Sequence, residues 1–251
     1  MTVRIMPCLD MQNGRVVKGV QFVNIRDAGD PVACCVAYCE AGADELALLD
    51  ITATVEGRAT MLDVVGKVAG AATVPLTVGG GISDVASARA VLEAGADKVS
   101  ISSAAFRRPA VIVEMVKEFG ADRVTVAIDA AVNDGLPSGY EVYVDGGRTA
   151  TGADAVEWAK AVDGFGAKTI LPTSKTTDGA KTGYDLDLIR KLKAGVSAEI
   201  VASGGAGTMA HFYEAARAGA DILLAASVFH FNMISIPALK EYLAGRGISV
   251  L

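Results

Sequence analysis

The chain has 251 residues, of which 51% are hydrophobic and only 6% aromatic, so we expect a large aliphatic core. Its net charge of −6 argues against a nucleic-acid partner. The sequence shows no apolar run of 18 residues, no signal peptide and no linker between its halves. These features predict a single domain over residues 1–251 in the cytoplasm, with neither a membrane nor a nucleic acid as partner.

Eight apolar runs alternate with eight helical patterns along the chain. The runs predict strands at Val3–Leu9, Glu45–Asp50, Pro75–Val78, Lys98–Ile101, Val124–Ile128, Thr169–Pro172, Glu199–Ala202 and Ile222–Ala225. The helical patterns cover Pro31–Glu40, Thr60–Val68, Asp84–Glu93, Pro109–Phe119, Asp154–Val162, Leu186–Leu192, Met209–Ala218 and Pro237–Leu243. Continuous apolar runs are typical of parallel strands buried on both faces. The pattern therefore predicts a (β/α)8 barrel, with an open doubly wound sheet as the alternative.

One unit of strand, glycine turn, helix, strand and small-residue turn occurs twice in the chain. Val78 corresponds to Ala202 and Gly95 to Gly219, and both pairs lie 124 positions apart. Equal offsets at separate matches indicate two homologous half-barrels. Glycine turns after buried strands let backbone N–H groups approach an anion, so the two copies predict two phosphate sites.

Two aspartates stand where apolar strands end. Asp10 follows the first predicted strand and Asp129 the fifth. Active sites of such barrels lie at the carboxyl ends of the strands, and half-barrel symmetry would place the two carboxylates opposite each other. Two carboxylates that flank a substrate can share general acid–base work. We expect Asp10 and Asp129 to be catalytic, the alternative being a capping or loop-fixing role for each.

The chain contains four cysteines and two histidines. The cysteines are Cys8, Cys34, Cys35 and Cys39, and the histidines lie far from them in sequence. We expect reduced thiols and no metal site.

Several motifs together resemble the cyclase subunit of imidazole glycerol phosphate synthase. They are Cys8-Leu9-Asp10, Gly14–Gly19, Asp27–Pro31, Leu49–Ala53, Val78–Ile82, Gly95–Ser100, Ala202–Gly207 and Ala225–Phe231. The resemblance spans nearly the whole chain. It implies that ammonia from a glutaminase partner reacts with the bis-phosphorylated ribulosyl formimino aminoimidazole carboxamide intermediate of histidine synthesis. The products would be imidazole glycerol phosphate and aminoimidazole carboxamide ribotide, formed without a metal or an organic cofactor.

The resemblance also implies roles for single residues. Asp10 and Asp129 match the two catalytic aspartates, with the division between acid and base left open, and Lys18 matches a lysine on a mobile loop. One phosphate site would comprise Gly81, Ser102 and Ser103, the serines standing where the family usually has asparagine and threonine. The other phosphate site would comprise Asp178, Gly179, Gly205, Ala226 and Ser227.

At the opposite end of the barrel the family carries four charged residues that are thought to gate the entry of ammonia. Arg4, Glu45 and Lys98 match three of them, and Thr169 occupies the fourth position, where glutamate is usual. Asp44 or Lys168 could compensate. The change raises the question of whether ammonia entry is still coupled to a glutaminase.

The segment after the sixth strand also departs from the family, because a lysine and two threonines follow Ser174. By strand alternation Lys175 could face the barrel mouth. A rim or phosphate-binding lysine is one interpretation, and a Schiff-base lysine of an aldolase-type enzyme is another. A non-catalytic barrel that binds a phosphorylated ligand, and the sister isomerase of the same pathway, are further alternatives.

Overall fold

The computed structural model describes the backbone of residues 2–20, 23–56 and 59–251, and the side chains at 18–20, 23–28, 54 and 55 lie outside the description. The strands are β1 (Thr2–Gln12), β2 (Arg15–Val20), β3 (Val23–Gly29), β4 (Leu46–Asp50), β5 (Leu76–Gly79), β6 (Lys98–Ile101), β7 (Val124–Val132), β8 (Tyr140–Val144), β9 (Thr149–Asp154), β10 (Thr169–Ser174), β11 (Glu199–Ala202), β12 (Ile222–Ala225) and β13 (Ser249–Val250).

The helices alternate with these strands. They are α1 (Pro31–Glu40), α2 (Ala53–Glu56), α3 (Leu62–Ala71), α4 (Val85–Glu93), α5 (Ser103–Arg107), α6 (Ala110–Phe119), α7 (Ala155–Gly164), α8 (Leu186–Gly195), α9 (Met209–Ala218), α10 (Ser227–His230) and α11 (Ile236–Ala244), with a 3₁₀ turn at Ala121–Arg123. Within the described ranges, no helix combines the length and the apolar character that crossing a membrane requires.

Eight parallel strands of the described chain close into a barrel. Their order around the ring is β1, β4, β5, β6, β7, β10, β11 and β12, and β12 pairs with β1 again. Each neighbouring pair is parallel. The predicted (β/α)8 barrel is confirmed, and the alternative of an open sheet is wrong because β7 and β10 join what would be its two edges.

The barrel strands coincide with the eight predicted strands, but β10 extends to Ser174 and two others extend further beyond their predicted ends. β1 continues to Gln12 and β7 to Val132, and each then turns back into an antiparallel hairpin, β2–β3 and β8–β9. These extensions carry polar residues and lack the continuous apolar character by which the barrel strands were recognised. The N–H of Asn133 donates to the carbonyl oxygen of Gly139 at 2.8 Å, which closes β7 onto β8.

Local capping explains where the helices begin. Asp30 accepts hydrogen bonds from the N–H groups of Val32 and Ala33, and Pro31 opens α1 where a missing N–H has no consequence. Asp84 and Ser87 form a capping box at α4. The sequence signals at both starts predicted these helices correctly.

Apolar side chains fill two separate layers. The larger layer lies between the strands and the surrounding helices, and the smaller lies inside the barrel. The inner layer comprises Met6, Cys8, Ala47, Leu171, Val201, Ile222, Leu224 and Ala226. Because the barrel interior is packed, the space for a ligand lies above it, at the carboxyl ends of the strands.

The repeated unit has matching elements in both halves. β6 (Lys98–Ile101) and β12 (Ile222–Ala225) begin and end 124 positions apart, and α4 and α9 also begin 124 positions apart. The correspondence agrees with two homologous half-barrels, whose common origin stays a prediction.

Candidate active site

A cavity of about 520 Å³ opens at the carboxyl ends of the barrel strands. Its wall combines residues of β1 and β7 with the turns after β4, β5, β6, β10, β11 and β12. The sequence-predicted residues on it are Asp10, Gly81, Ser102, Ser103, Asp129, Asp178, Gly179, Gly205, Ala226 and Ser227. The structure thus brings together residues that are up to 217 positions apart, from Asp10 to Ser227.

Asp10 and Asp129 lie on opposite sides of this cavity. Asp10 is on β1 and Asp129 on β7, and these strands are four steps apart around the ring in either direction. Both side chains are half-buried and line the cavity. A molecule bound between them would meet one carboxylate on each side.

The two carboxylates have different surroundings. Burial, and to a smaller extent the negative charge of Asp178, raise the pKa of Asp129 and the positive charge of Lys175 lowers it, with a net pKa of about 6. On the other side, the Cys8 thiol donates a hydrogen bond to Asp10 Oδ1 at 3.2 Å. Asp129 can therefore take up or release a proton close to neutral pH.

A histidine outside the predicted site supports the strand that carries Asp10. The Nε2 atom of His230 lies 3.0 Å from the carbonyl oxygen of Cys8, and its Nδ1 atom lies 2.6 Å from the hydroxyl of Tyr38. Because a carbonyl can only accept, Nε2 carries a proton and the hydroxyl of Tyr38 can donate to Nδ1. His230 thus ties α1 and α10 to β1.

Gly81, Ser102 and Ser103 line the cavity just beyond the carboxyl ends of β5 and β6, and this part of the wall is called the first pocket. The turn that leads into it requires glycine, because a Cβ atom on Gly80 would lie 2.1 Å from the carbonyl oxygen of Asp50. The hydroxyl of buried Thr60 donates to the carbonyl of Gly80 and fixes the turn.

Gly179, Gly205, Ala226 and Ser227 line the cavity beyond the ends of β10, β11 and β12, across the ring from the first pocket, and this part of the wall is called the second pocket. Gly205 has φ +100°, and a Cβ atom on it would lie 2.0 Å from the carbonyl oxygen of Gly183. Asp178 precedes this pocket, and its carboxylate acts on Asp129. A carboxylate repels a phosphate, so its chemistry suits the neighbourhood of Asp129 better than anion binding.

A cluster of ionic side chains closes the opposite end of the barrel. Arg4 contacts Glu45 at 2.8 Å and Glu199 at 2.6 Å, and Lys98 contacts Glu45 at 2.9 Å. Glu45 is almost fully buried. Thr169 pairs in register with Glu199 on the neighbouring strand, so the two side chains face the same side of the sheet.

Comparisons with known proteins agree with this architecture. Residues 4–235 match the model of a family described as "Histidine biosynthesis protein". The imidazole glycerol phosphate synthase subunit HisF of Pyrobaculum aerophilum is 53% identical over 249 residues, which cover 98% of this chain and 97% of the relative. The chain belongs to the histidine biosynthesis protein family. The family resemblance drawn from the sequence motifs is confirmed.

Of the remaining predicted residues, Lys175 is placed differently from expectation, and the side chain of Lys18 lies outside the described residues. Lys175 lies beyond the end of β10, and its amine stands 3.5 Å from the centre of the Tyr143 ring instead of lining the cavity. The strand alternation stops at Ser174, because the chain turns there and the N–H of Lys175 donates to the carbonyl of Ala130. Lys18 lies in β2, and its side chain is outside the described residues.

Two charged residues were not predicted from the sequence, Glu199 in the ionic cluster and Arg107 on the cavity wall. Glu199 was missed because compensating charges were sought only at Asp44 and Lys168, the sequence neighbours of Glu45 and Thr169; Asp44 instead pairs with Lys240. Arg107 lines the cavity beside the first pocket but lies four residues beyond Ser103. The only available signal was its position at the end of a short helix after the serine pair.

Proposed function

We propose that the protein is a cyclase of histidine biosynthesis. It would convert the bis-phosphorylated ribulosyl formimino aminoimidazole carboxamide intermediate and ammonia to imidazole glycerol phosphate and aminoimidazole carboxamide ribotide. The observation that carries this proposal is a single cavity with two glycine-containing pockets across the ring from each other and Asp10 and Asp129 on opposite walls. Membership of the histidine biosynthesis protein family and the 53% identity to an imidazole glycerol phosphate synthase subunit HisF support it.

The cavity suits a substrate with a phosphate at each end. The first pocket would bind one phosphate through the turn after β5 and the hydroxyls of Ser102 and Ser103. The second pocket would bind the other through the turns at Gly179 and Gly205 and the hydroxyl of Ser227. Anchoring both ends would hold the reacting part of the substrate between the two aspartates, which lowers the entropic cost of reaching the transition state.

Asp10 and Asp129 would move protons between them. Ring closure by an amine requires proton removal from the incoming nitrogen and proton delivery to the departing oxygen. Asp129, with a pKa of about 6, can do either near neutral pH. The proposal assigns one task to each aspartate and leaves open which of them acts as acid.

Ammonia would reach the cavity from the opposite end of the barrel, delivered by a glutaminase subunit. We include Glu199 with Arg4, Glu45 and Lys98 in the proposed gate, since it supplies the negative charge that Thr169 lacks. Buried Thr77 pairs in register with Lys98 and buried Thr125 with Thr169, and the hydroxyl of Thr77 has no hydrogen bond to the described residues. Such polar side chains in the interior would ease the passage of a small polar molecule.

The remaining expectations belong to the same proposal. Lys18 would close over the substrate from the β2–β3 hairpin. Residues 1–251 would act as one domain, which the pairing of β1 with β12 supports. The reaction would need no cofactor and would take place in the cytoplasm.

Turnover of the bis-phosphorylated substrate with ammonium salt, followed by its absorbance, tests the proposal. Asp10→Asn and Asp129→Asn are each expected to reduce kcat by about 10²- to 10⁴-fold, because each removes one group that transfers a proton. Asp63→Asn, an exposed position in the first turn of α3, is the matched control and should retain activity. Full activity in either active-site variant would refute the acid–base assignment.

A further inference from the structure

The cavity wall has an unfavourable charge balance for a phosphorylated ligand. Four carboxylates line it, from Asp10, Asp50, Asp129 and Asp178. Arg107 is the one cationic side chain among the described residues of that wall. A ligand with two phosphates would bring further negative charge into this space. The single described cation therefore favours phosphate binding in the part of the cavity where it lies.

Arg107 stands at the first pocket. It ends α5, the helix that begins with Ser103, and it shares the cavity wall with Gly81, Ser102 and Ser103. Its side chain is 56% exposed, so the guanidinium remains accessible from the cavity and from solvent.

Asp145 holds Arg107 through one nitrogen only. Arg107 Nη2 lies 2.6 Å from Oδ1 and 2.7 Å from Oδ2 of Asp145. The N–H of Asp145 donates to the hydroxyl oxygen of Ser103 at 2.8 Å, which fixes the β8–β9 turn beside the same pocket. A guanidinium has five N–H donors, so this geometry leaves Nε and Nη1 to donate elsewhere.

We propose that Arg107 binds the phosphate in the first pocket and gives this pocket a positive charge that the second pocket lacks among its described wall residues. This role rests on the proposed function, since it assumes a phosphorylated ligand. A charge-assisted hydrogen bond from a planar guanidinium suits a phosphate oxygen, whereas a serine hydroxyl contributes no charge. Asp145 orients the guanidinium in the free protein and competes with the phosphate for it.

Titration with inorganic phosphate, followed by the amide NMR signals of Gly81 and Gly205, tests this role without turnover. Arg107→Gln is expected to weaken the phosphate affinity reported by Gly81 about tenfold, which corresponds to about 1.4 kcal/mol. The affinity reported by Gly205 in the second pocket should stay unchanged. Arg107→Lys should recover part of the loss, because it keeps the charge but not the planar donor set.

Arg108→Gln is the matched control. Arg108 neighbours Arg107 in sequence, has a similar exposure, and pairs with Glu114 at 2.6 Å away from the cavity wall. Its removal changes the net charge equally and should leave the Gly81 response as in the unmodified protein. If Arg107→Gln and Arg108→Gln behave alike, or if phosphate does not shift the Gly81 signal at all, the proposal is overturned.

Asp145→Asn separates phosphate binding from a purely structural role. Asparagine tolerates the left-handed backbone at this position, where φ is +57°, so the turn should persist. If Arg107 binds phosphate, removing its competitor leaves the affinity at Gly81 equal to or tighter than that of the unmodified protein. If Asp145→Asn weakens the affinity as much as Arg107→Gln does, the ion pair merely holds the hairpin and the proposal fails.

Kinetics with the bis-phosphorylated substrate and ammonium then distinguish this inference from the proposed function. Arg107→Gln should raise KM about tenfold and change kcat less than twofold, because the phosphate lies away from the reacting atoms. Absence of turnover in the unmodified protein, with the phosphate titration behaving as expected, would refute the cyclase and retain Arg107 as a phosphate ligand. Normal turnover with an unchanged KM in Arg107→Gln would refute the role of Arg107 alone.

Discussion

Asp129 retains its proton to a higher pH than an aspartate in water does. Burial is the main cause, and the charges of Asp178 and Lys175 act on the carboxyl in opposite directions. Lys175 exerts this influence from the ring of Tyr143, outside the cavity wall. The position of the amine removes the geometric support for a Schiff-base lysine and gives Lys175 an electrostatic role.

The opposite influences on Asp129 can be measured separately. Asp178→Asn removes a negative neighbour and should lower the pKa of Asp129 from about 6 by about one unit, whereas Lys175→Met should raise it by a similar amount. At pH 6 the first variant would therefore hold less of the protonated form and the second more. A ¹³C NMR titration of the Asp129 carboxyl measures both shifts directly.

Lys191→Met provides the control for this titration. Lys191 stacks on Tyr140 of the same hairpin, but it pairs with Asp187 and does not act on Asp129. Its removal should leave the pKa of Asp129 unchanged. An unchanged pKa in both Asp178→Asn and Lys175→Met would show that burial alone controls this group.

At the scale of the elements, the two glycine turns position both pockets. In each turn a glycine lies against a backbone carbonyl, with Gly80 against Asp50 and Gly205 against Gly183. The carbonyl groups come from other parts of the chain, so these turns also fix how neighbouring segments meet. A side chain at either position would push the segments apart.

Gly205→Ala should therefore be far more damaging than the strain of its left-handed backbone alone. Gly42→Ala is the matched control, since Gly42 has φ +82° and its added Cβ would contact nothing within 4 Å. We expect Gly42→Ala to lower the free energy of unfolding by about 1–2 kcal/mol. Gly205→Ala should lower it by about 3 kcal/mol or more, as seen in urea unfolding, because backbone strain and overpacking add. Equal losses would show that the close approach to Gly183 relaxes at little cost.

The elements also show what the sequence can and cannot predict. Strands such as β6 and β12 were predicted with their observed ends, because a run of apolar residues marks a strand buried on both faces. The strands of the hairpins β2–β3 and β8–β9 were not among the predicted strands, because turns and not apolar runs determine how these strands pair. Arg107 escaped notice for a related reason: its side chain reaches the cavity from the far end of α5.

For the whole molecule, ring closure determines which residues meet. Asp10 and Asp129 were correctly expected at the same cavity, because strand ends and half-barrel symmetry are visible in the sequence. The pairing of Arg4 with Glu199 was not expected, because the sequence does not show which residues of neighbouring strands lie side by side. Thr169 and Glu199 are 30 positions apart in sequence but adjacent in the barrel. The negative charge that was expected at position 169 on β10 is therefore present on β11, as Glu199.

Glu199 can be tested as a member of the proposed gate by comparing two sources of ammonia. Glu199→Gln leaves Arg4 with Glu45 as its remaining partner among the described contacts and should disturb the end of the barrel where the glutaminase would deliver ammonia. We expect at least twice as much glutamine to be hydrolysed per product formed, while turnover with ammonium salt stays within about twofold. Each outcome is measured with the glutaminase subunit present and, separately, with ammonium alone.

Glu114→Gln removes a comparable ion pair from the surface and is the control for this experiment, because Glu114, on α6, contacts Arg108 and lies outside both the active-site cavity and the ionic cluster around Arg4. The double variant Thr169→Glu with Glu199→Gln returns the carboxylate to β10, next to its present position. This variant should restore the coupling of glutamine hydrolysis to product formation if Arg4 requires only a nearby carboxylate, whichever strand carries it. Unchanged coupling in Glu199→Gln would mean that Arg4, Glu45 and Lys98 suffice, and that the fourth charge of the ring is dispensable in this barrel.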